Sequence, residues 1–368
     1  MPRSAEVVAA LAVGITMSNK RLWTPAITRR SVLRSSGALT VALVAPQIAY
    51  AQSKRLVSTI FGGKFEEIYR RAVIEPFTKK TGVEVVLKYG SGSQWLTSAV
   101  VNKDNPEIDL LWLAYPESVR AITEDLCDEL SPTDIPNLKD VAPIWYEGYR
   151  RKGVGFDYAS FGIAYRTDML KEAPTSWKDL WDPKFKGKLA LPDITASGGY
   201  ETLVLAATLN GGSATKIDPG FAALKKLRPS VRKFYKSNPE ATQLLERGEV
   251  AVCPWFNGRA WSLADTGSPV SWVTPKEGAL VGMVSYHIPK GAKDKAVCKA
   301  LINQAISVES QEAFCNEMQY GPVNVKAKLT GKAAERTPPL DRLTLTDWFA
   351  VSPNIGPWLD RWNREVVG

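Results

Sequence analysis

From residue 55 onward, apolar runs of strand length alternate with stretches whose apolar residues recur at helical spacing. Residues 55–61, 83–89 and 108–113 read as strands, and residues 65–80 and 94–102 as the helices between them, with Pro76 near the end of the first. Strands joined by helices run parallel and gather their strand-to-helix loops on one edge, where such sheets bind ligands. Those loops are Phe61-Gly62-Gly63, Gly90-Ser91-Gly92-Ser93-Gln94-Trp95 and Trp112-Leu113-Ala114-Tyr115. Ser93, Trp95, Trp112 and Tyr115 are therefore candidates for a binding wall. Glycine lets backbone approach a ligand, and free N–H groups at a helix start attract negative charge.

A second series follows residues 156–162, which read as an extended crossing rather than a helix. A strand at 188–192 runs into Thr195-Ala196-Ser197-Gly198-Gly199 and a helix at 200–209, which Asn210-Gly211-Gly212 ends. Ser197 is expected to cap that helix, and with Gly198, Gly199 and the nearby Asp193 it is also a candidate ligand contact. A helix at 239–247, between a Ser237-Asn238 cap and a Gly248 stop, precedes a strand at 249–256 that ends in Cys253-Pro254-Trp255-Phe256-Asn257-Gly258-Arg259-Ala260-Trp261. Asn257-Gly258 turns the chain and Arg259 opens a helix at 259–265. The helix dipole repels a cation there, so Arg259 is best explained by something negative bound beside it, the alternative being an exposed arginine paired with a surface acid. Phe256 and Asn257 join the candidates, while Trp255 and Trp261 fit cleft wall and core equally well.

The N-terminal segment changes the picture of location. Thr28-Arg29-Arg30-Ser31-Val32-Leu33-Arg34, an apolar run at 37–48 and Ala49-Tyr50-Ala51 form a signal peptide of the twin-arginine kind, residues 1–51, with cleavage expected before Gln52. The apolar run falls short of the ~20 residues of a membrane span, and no cysteine follows the cleavage point to carry a lipid. A soluble periplasmic product is expected. The remaining 317 residues carry 41 basic and 37 acidic side chains, a net +4 scattered along the chain, which speaks against nucleic-acid binding. Their number exceeds one ordinary core and predicts two lobes. Cys127, Cys253, Cys298 and Cys315 lie in the exported part; the last two, on successive helices, could pair across the turn near Ser307 or remain separate buried thiols. His287 is the one histidine and there is no CxxC pair, so neither a metal site nor an imidazole triad is expected.

A family resemblance then emerges from Trp177-Lys178-Asp179-Leu180-Trp181-Asp182-Pro183-Lys184-Phe185-Lys186-Gly187-Lys188-Leu189, Trp255-Phe256-Asn257-Gly258, Pro275-Lys276-Glu277-Gly278, Ile288-Pro289-Lys290-Gly291-Ala292 and Tyr320-Gly321-Pro322-Val323-Asn324, in that order. From about Leu56 to about Leu329 the chain resembles the extracellular solute-binding proteins of ABC importers, in the branch of the spermidine and putrescine receptors. The resemblance implies a two-lobed α/β fold of the type II periplasmic kind, with the ligand held between lobes joined by extended crossings and a membrane permease as recipient. On this basis lobe one comprises residues 52–157 and 285–325, and lobe two residues 158–284 and 326–368. Tyr320 joins the candidates. The expected molecule is a monomer that is not an enzyme and holds no cofactor or metal.

The departures from that branch bear on the ligand. The acids with which the polyamine receptors hold their ligand fall at Ile194 and Ser197 here, and their Trp-x-Asp falls at Gly282-Met283-Val284. Arg259 stands where they carry a small residue. Losing carboxylates and gaining a guanidinium inverts the preferred ligand charge, leaving Asp193 as an acid that could serve one amine. The expected ligand is a small carboxylate or zwitterion, such as a γ-amino acid or an opine-like conjugate, or a phosphonate or sulfonate. A polyamine is the alternative. No adjacent tyrosines occur to suggest iron. Twin-arginine export also suits a cofactor-bearing redox enzyme, but no CxxCH, P-loop or GxGxxG is present; a sensory ligand-binding protein could share this sequence. Hinge bends are expected at 158–161, 284–287 and 323–328, closing Trp95, Trp112 and Tyr115 of lobe one onto Trp255 and Phe256 of lobe two.

Overall fold

The computed structural model describes residues 55–368, so the signal-peptide expectation lies outside the described residues. Strands β1 (Arg55–Ile60) and β2 (Glu84–Tyr89) pair in parallel, and Ser58 bridges in parallel to Leu110 just ahead of β3 (Leu111–Ala114). The intervening helices match the periodicity. The first runs from Lys64 through a π segment, Arg70–Ile74, to Thr81, and Gly82 ends it at φ 72° in the left-handed region. The second, Gly92–Val101, starts with a capping box between Ser91 and Gln94.

The extended crossing is a strand of 13 residues, β4 (Val154–Arg166), buried almost throughout. β5 (Leu189–Pro192), β6 (Val231–Tyr235), β7 (Val252–Phe256) and β8 (Val270–Val273) follow, then β9 (Ala279–His287), β10 (Gly321–Pro322) and β11 (Leu343–Thr344). The main sheet runs β11-β9-β4-β7-β5-β6. β4 pairs with β9 and β10 along its first half and with β7 and β8 along its second, while β9 continues to β3. Two strands therefore tie together two separate cores. One core is built around Trp112, Trp145, Phe156, Tyr286 and Phe314, the other around Phe161, Trp177, Leu203, Trp255 and Trp362.

Two local expectations are corrected. Ser197 does not cap the helix Gly199–Leu209; Gly198 holds the capping position at φ 91°, where a Cβ would lie 2.4 Å from the Phe161 ring. Arg259 belongs to the first turn of the helix Asn257–Asp265 rather than opening it, because Phe256 is the cap. All four cysteines are free and buried. Burial pushes Cys127 and Cys298 up to about 12, and Cys298 donates to the Asp109 carbonyl at 3.2 Å, as expected of inert packed thiols.

Candidate cleft between the two cores

A cavity of about 720 Å³ lies where the two cores meet, a size suited to a small organic ligand. One wall comes from the strand-to-helix edge of the first core: Phe61, Gly62, Ser93, Tyr115 and Glu117. The other comes from the equivalent edge of the second: Ser197, Gly198, Tyr200, Glu201, Phe256 and Arg259. The crossing strands supply the floor through Asp157, Ala159, Gly282 and Met283, with Tyr320 beside them.

The structure divides the sequence candidates. Arg259, Ser197, Gly198, Phe256, Ser93, Tyr115 and Tyr320 line the cavity. Trp112 does not; it is fully buried among Phe65, Tyr69, Phe156 and Tyr286 with ring centroids 4.8 to 5.3 Å away. Trp255 is a core residue of the other lobe, donating to the Asn238 side chain at 3.0 Å. Trp95 packs behind the wall, 5.1 Å from Phe61. Asn257 is a structural clamp, accepting from the Ser160 amide and donating to the Gln319 carbonyl, both at 3.0 Å. The Gly199 amide already donates to the Ala196 carbonyl at 2.9 Å, and Asp193 is engaged by the amide and hydroxyl of Thr195. At Gly282, a Cβ would meet the Phe256 ring at 2.4 Å. A tryptophan at position 282, where the resemblance would put one, would therefore meet an aromatic ring from β7.

Charge in the cavity is unevenly matched. Arg259 is exposed to it and forms no ion pair among the described residues, whereas Arg120 is held by Glu124 at 2.6 Å. Three carboxylates also line it. Burial raises Asp157 to about 8 and Glu201 to about 7, the latter helped by the nearby charge of Glu117. Glu117, whose pKa burial also raises, accepts a hydrogen bond from Ser93 Oγ at 3.2 Å. None of the three forms a salt bridge among the described residues. The Tyr320 hydroxyl is raised by burial, with Arg259 lowering it and Asp157 raising it in smaller measure.

Sequence reasoning missed Asp157, Glu117, Glu201 and the C-terminal contribution of Trp348, Ser352, Ile355 and Leu359. Asp157 had a signal, since it is a lone acid within an apolar extended run. The C-terminal residues had none, because their place depends on a long-range packing in which Trp348 stacks on Tyr115 at 6.3 Å and Tyr200 donates to the Ile355 carbonyl at 3.1 Å.

Comparison with known proteins fits this geometry. Residues 72–339 match the family model described as bacterial extracellular solute-binding protein. A γ-aminobutyric acid-binding protein of Pseudomonas aeruginosa is 27% identical over 75% of this chain and 79% of its own. The spermidine/putrescine-binding periplasmic protein of Escherichia coli is 26% identical over 80% of this chain and 84% of its own. The crystal structure of an ABC transporter protein from Clostridium perfringens superposes with a TM-score of 0.75 at 27% identity, covering 84% of this chain and 99% of that one. No helix among the described residues is long and apolar enough to cross a membrane.

Proposed function

Because the chain belongs to the bacterial extracellular solute-binding protein family, we propose that it is the periplasmic receptor of an ABC importer, taking a small amino-acid-like carboxylate or zwitterion in its cleft and passing it to the permease. The observation that carries this reading is Arg259. It lines the cavity from the first turn of a helix, where the backbone dipole opposes a cation, and no acid among the described residues neutralises it. A ligand carboxylate would accept a forked, charge-assisted hydrogen bond there. The P. aeruginosa relative, named for an amino acid that carries a carboxylate, supports the same choice.

Capture proceeds by closure of lobe one (52–157 and 285–325) on lobe two (158–284 and 326–368), with the bending confined to the crossing strands and the segment after β10. Twin-arginine export would deliver the chain to the periplasm already folded. The three cavity carboxylates, none in a salt bridge among the described residues, favour a second reading, a polyamine receptor with its acids displaced from the positions used in that branch. A thermal-shift panel of amino acids, carboxylates, phosphonates and polyamines separates the two. The carboxylate reading expects Arg259→Ala to weaken binding roughly ten- to a hundredfold, a charged hydrogen bond being worth about 1.5 to 3 kcal/mol, with lysine restoring part. Stabilisation by polyamines alone, undiminished in Arg259→Ala, would favour the second.

A further inference from the structure

The floor of the cleft carries information about the other end of the ligand. Asp157 is 3% exposed and lines the cavity; its carboxyl accepts from its own backbone amide and has no salt bridge or side-chain hydrogen bond with another residue among the described ones. The strand is irregular where it stands. Pairing with β9 passes from Gly155 opposite Ser285 to Asp157 opposite Val284, skipping Phe156. Across the other edge Asp157 faces Pro322, which has no N–H to offer. Tyr149, Tyr286, Cys315 and Tyr320 are near enough to feel its charge, and burial is the main cause that shifts each upward, so each is neutral near pH 7. The charged groups sharing its cavity are Arg259, Glu117, Glu201 and the already paired Arg120.

A buried carboxylate without a partner is costly and ordinarily either acquires one or is replaced. Here it lines the cavity, beside the irregularity in its strand. Resting on the reading of Arg259 above, we propose that Asp157 anchors a protonated primary amine, so that the ligand is a zwitterion whose ammonium sits on Asp157 and whose carboxylate sits on Arg259. Asp157 stands on the crossing strand that forms the floor and Arg259 on the first turn of the helix Asn257–Asp265 in the second wall, so the two anchors come from different elements of one cavity. A ligand that meets both must carry its charges on groups able to reach floor and wall together, which suits an ω-amino acid better than an α-amino acid, whose charges are adjacent. Glu117 and Glu201, in the first turns of helices from opposite walls, add negative potential that draws the amine inward.

Calorimetric titration of the purified protein with γ-aminobutyrate, ε-aminocaproate, butyrate and putrescine tests this. At least one ω-amino acid should bind, butyrate should bind about ten- to a hundredfold more weakly, and Asp157→Asn should lower ω-amino acid affinity by a similar factor while leaving butyrate unchanged. The proposal is overturned if butyrate binds wild type as tightly as γ-aminobutyrate, if Asp157→Asn keeps full ω-amino acid affinity, or if neither ω-amino acid binds. The Arg259 reading fails separately, when putrescine outcompetes γ-aminobutyrate and Arg259→Ala leaves both unaltered. Melting of the ligand-free protein at pH 8 guards against a merely structural role. Asp157→Asn should melt at or above the wild-type temperature, and a fall of several degrees would contradict the assignment.

Discussion

Several amide and imidazole side chains buried inside the lobes differ from the ionisable groups lining the cleft in how they are partnered. Inside, Gln311 donates to the Phe156 and Ala305 carbonyls and accepts from the Val323 amide. His287 contacts the Lys152 carbonyl and Ser285 Oγ at 2.8 Å each, and Asn324 donates to the Ile306 carbonyl. In the cleft, Asp157, Glu201 and Arg259 have no ion-pair partner among the described residues. These interior amides and this imidazole are satisfied by hydrogen bonds, whereas a cation and two acids in one cavity lack an ion pair among the described residues, the pattern expected of groups that meet a charged ligand.

The largest difference is expected at Gln311. Replacing it with alanine strips three buried backbone groups of their partner, and chemical denaturation should show a loss of about 3 kcal/mol or more. Arg259→Ala, by contrast, should change stability by no more than about 0.5 kcal/mol while abolishing most ligand-induced stabilisation in the same assay. Equal stability losses from the two substitutions would erase the distinction.

A smaller effect appears in the pH dependence of the ligand-free protein. The folded-state pKa values of Asp157 and Glu201, about 8 and 7, lie above their unfolded values near 4, so the stability they contribute is complete at low pH and is lost as pH rises through 7 and 8. His287, lowered to about 4, acts oppositely, but only between about pH 4 and 6.5. Melting temperature should therefore fall between about pH 6.5 and 8, and the fall should shrink in Asp157→Asn. A flat profile in wild type would mean that the cleft acids are solvated or paired after all.

The smallest effect is optical. Trp348 lines the cavity, whereas Trp112 and Trp255 are in the cores, so Trp348→Phe should remove most of the ligand-induced fluorescence change and Trp112→Phe should preserve it. This sharpens an expected aromatic wall of which Tyr115 and Phe256 line the cavity and Trp95, Trp112 and Trp255 do not.

Much of this organisation was legible because the controlling forces are local. Strand-helix periodicity marked β1 to β3 and the loops at their carboxyl ends, and Asn257-Gly258 marked the turn that presents Arg259. What escaped depends on three-dimensional neighbours. Trp112 has the composition of a ligand wall, and only its enclosure by Phe65, Tyr69, Phe156 and Tyr286 makes it core. Gly199 sits at a helix start as expected, but its amide is consumed by Ala196 in a turn that no propensity specifies. Asp157 reads as an ordinary strand residue until β9 and β10 fix the bulge, and Trp348 comes near Tyr115 through a return of the chain across more than two hundred residues.

Native mass spectrometry of the protein recovered from cells that produce it would test the central claim most directly, because it identifies any small molecule retained in the cleft. The account predicts a small molecule carrying both an acid group and a primary amine, released in Arg259→Ala. A retained polyamine without an acid group, or a neutral sugar, would contradict it.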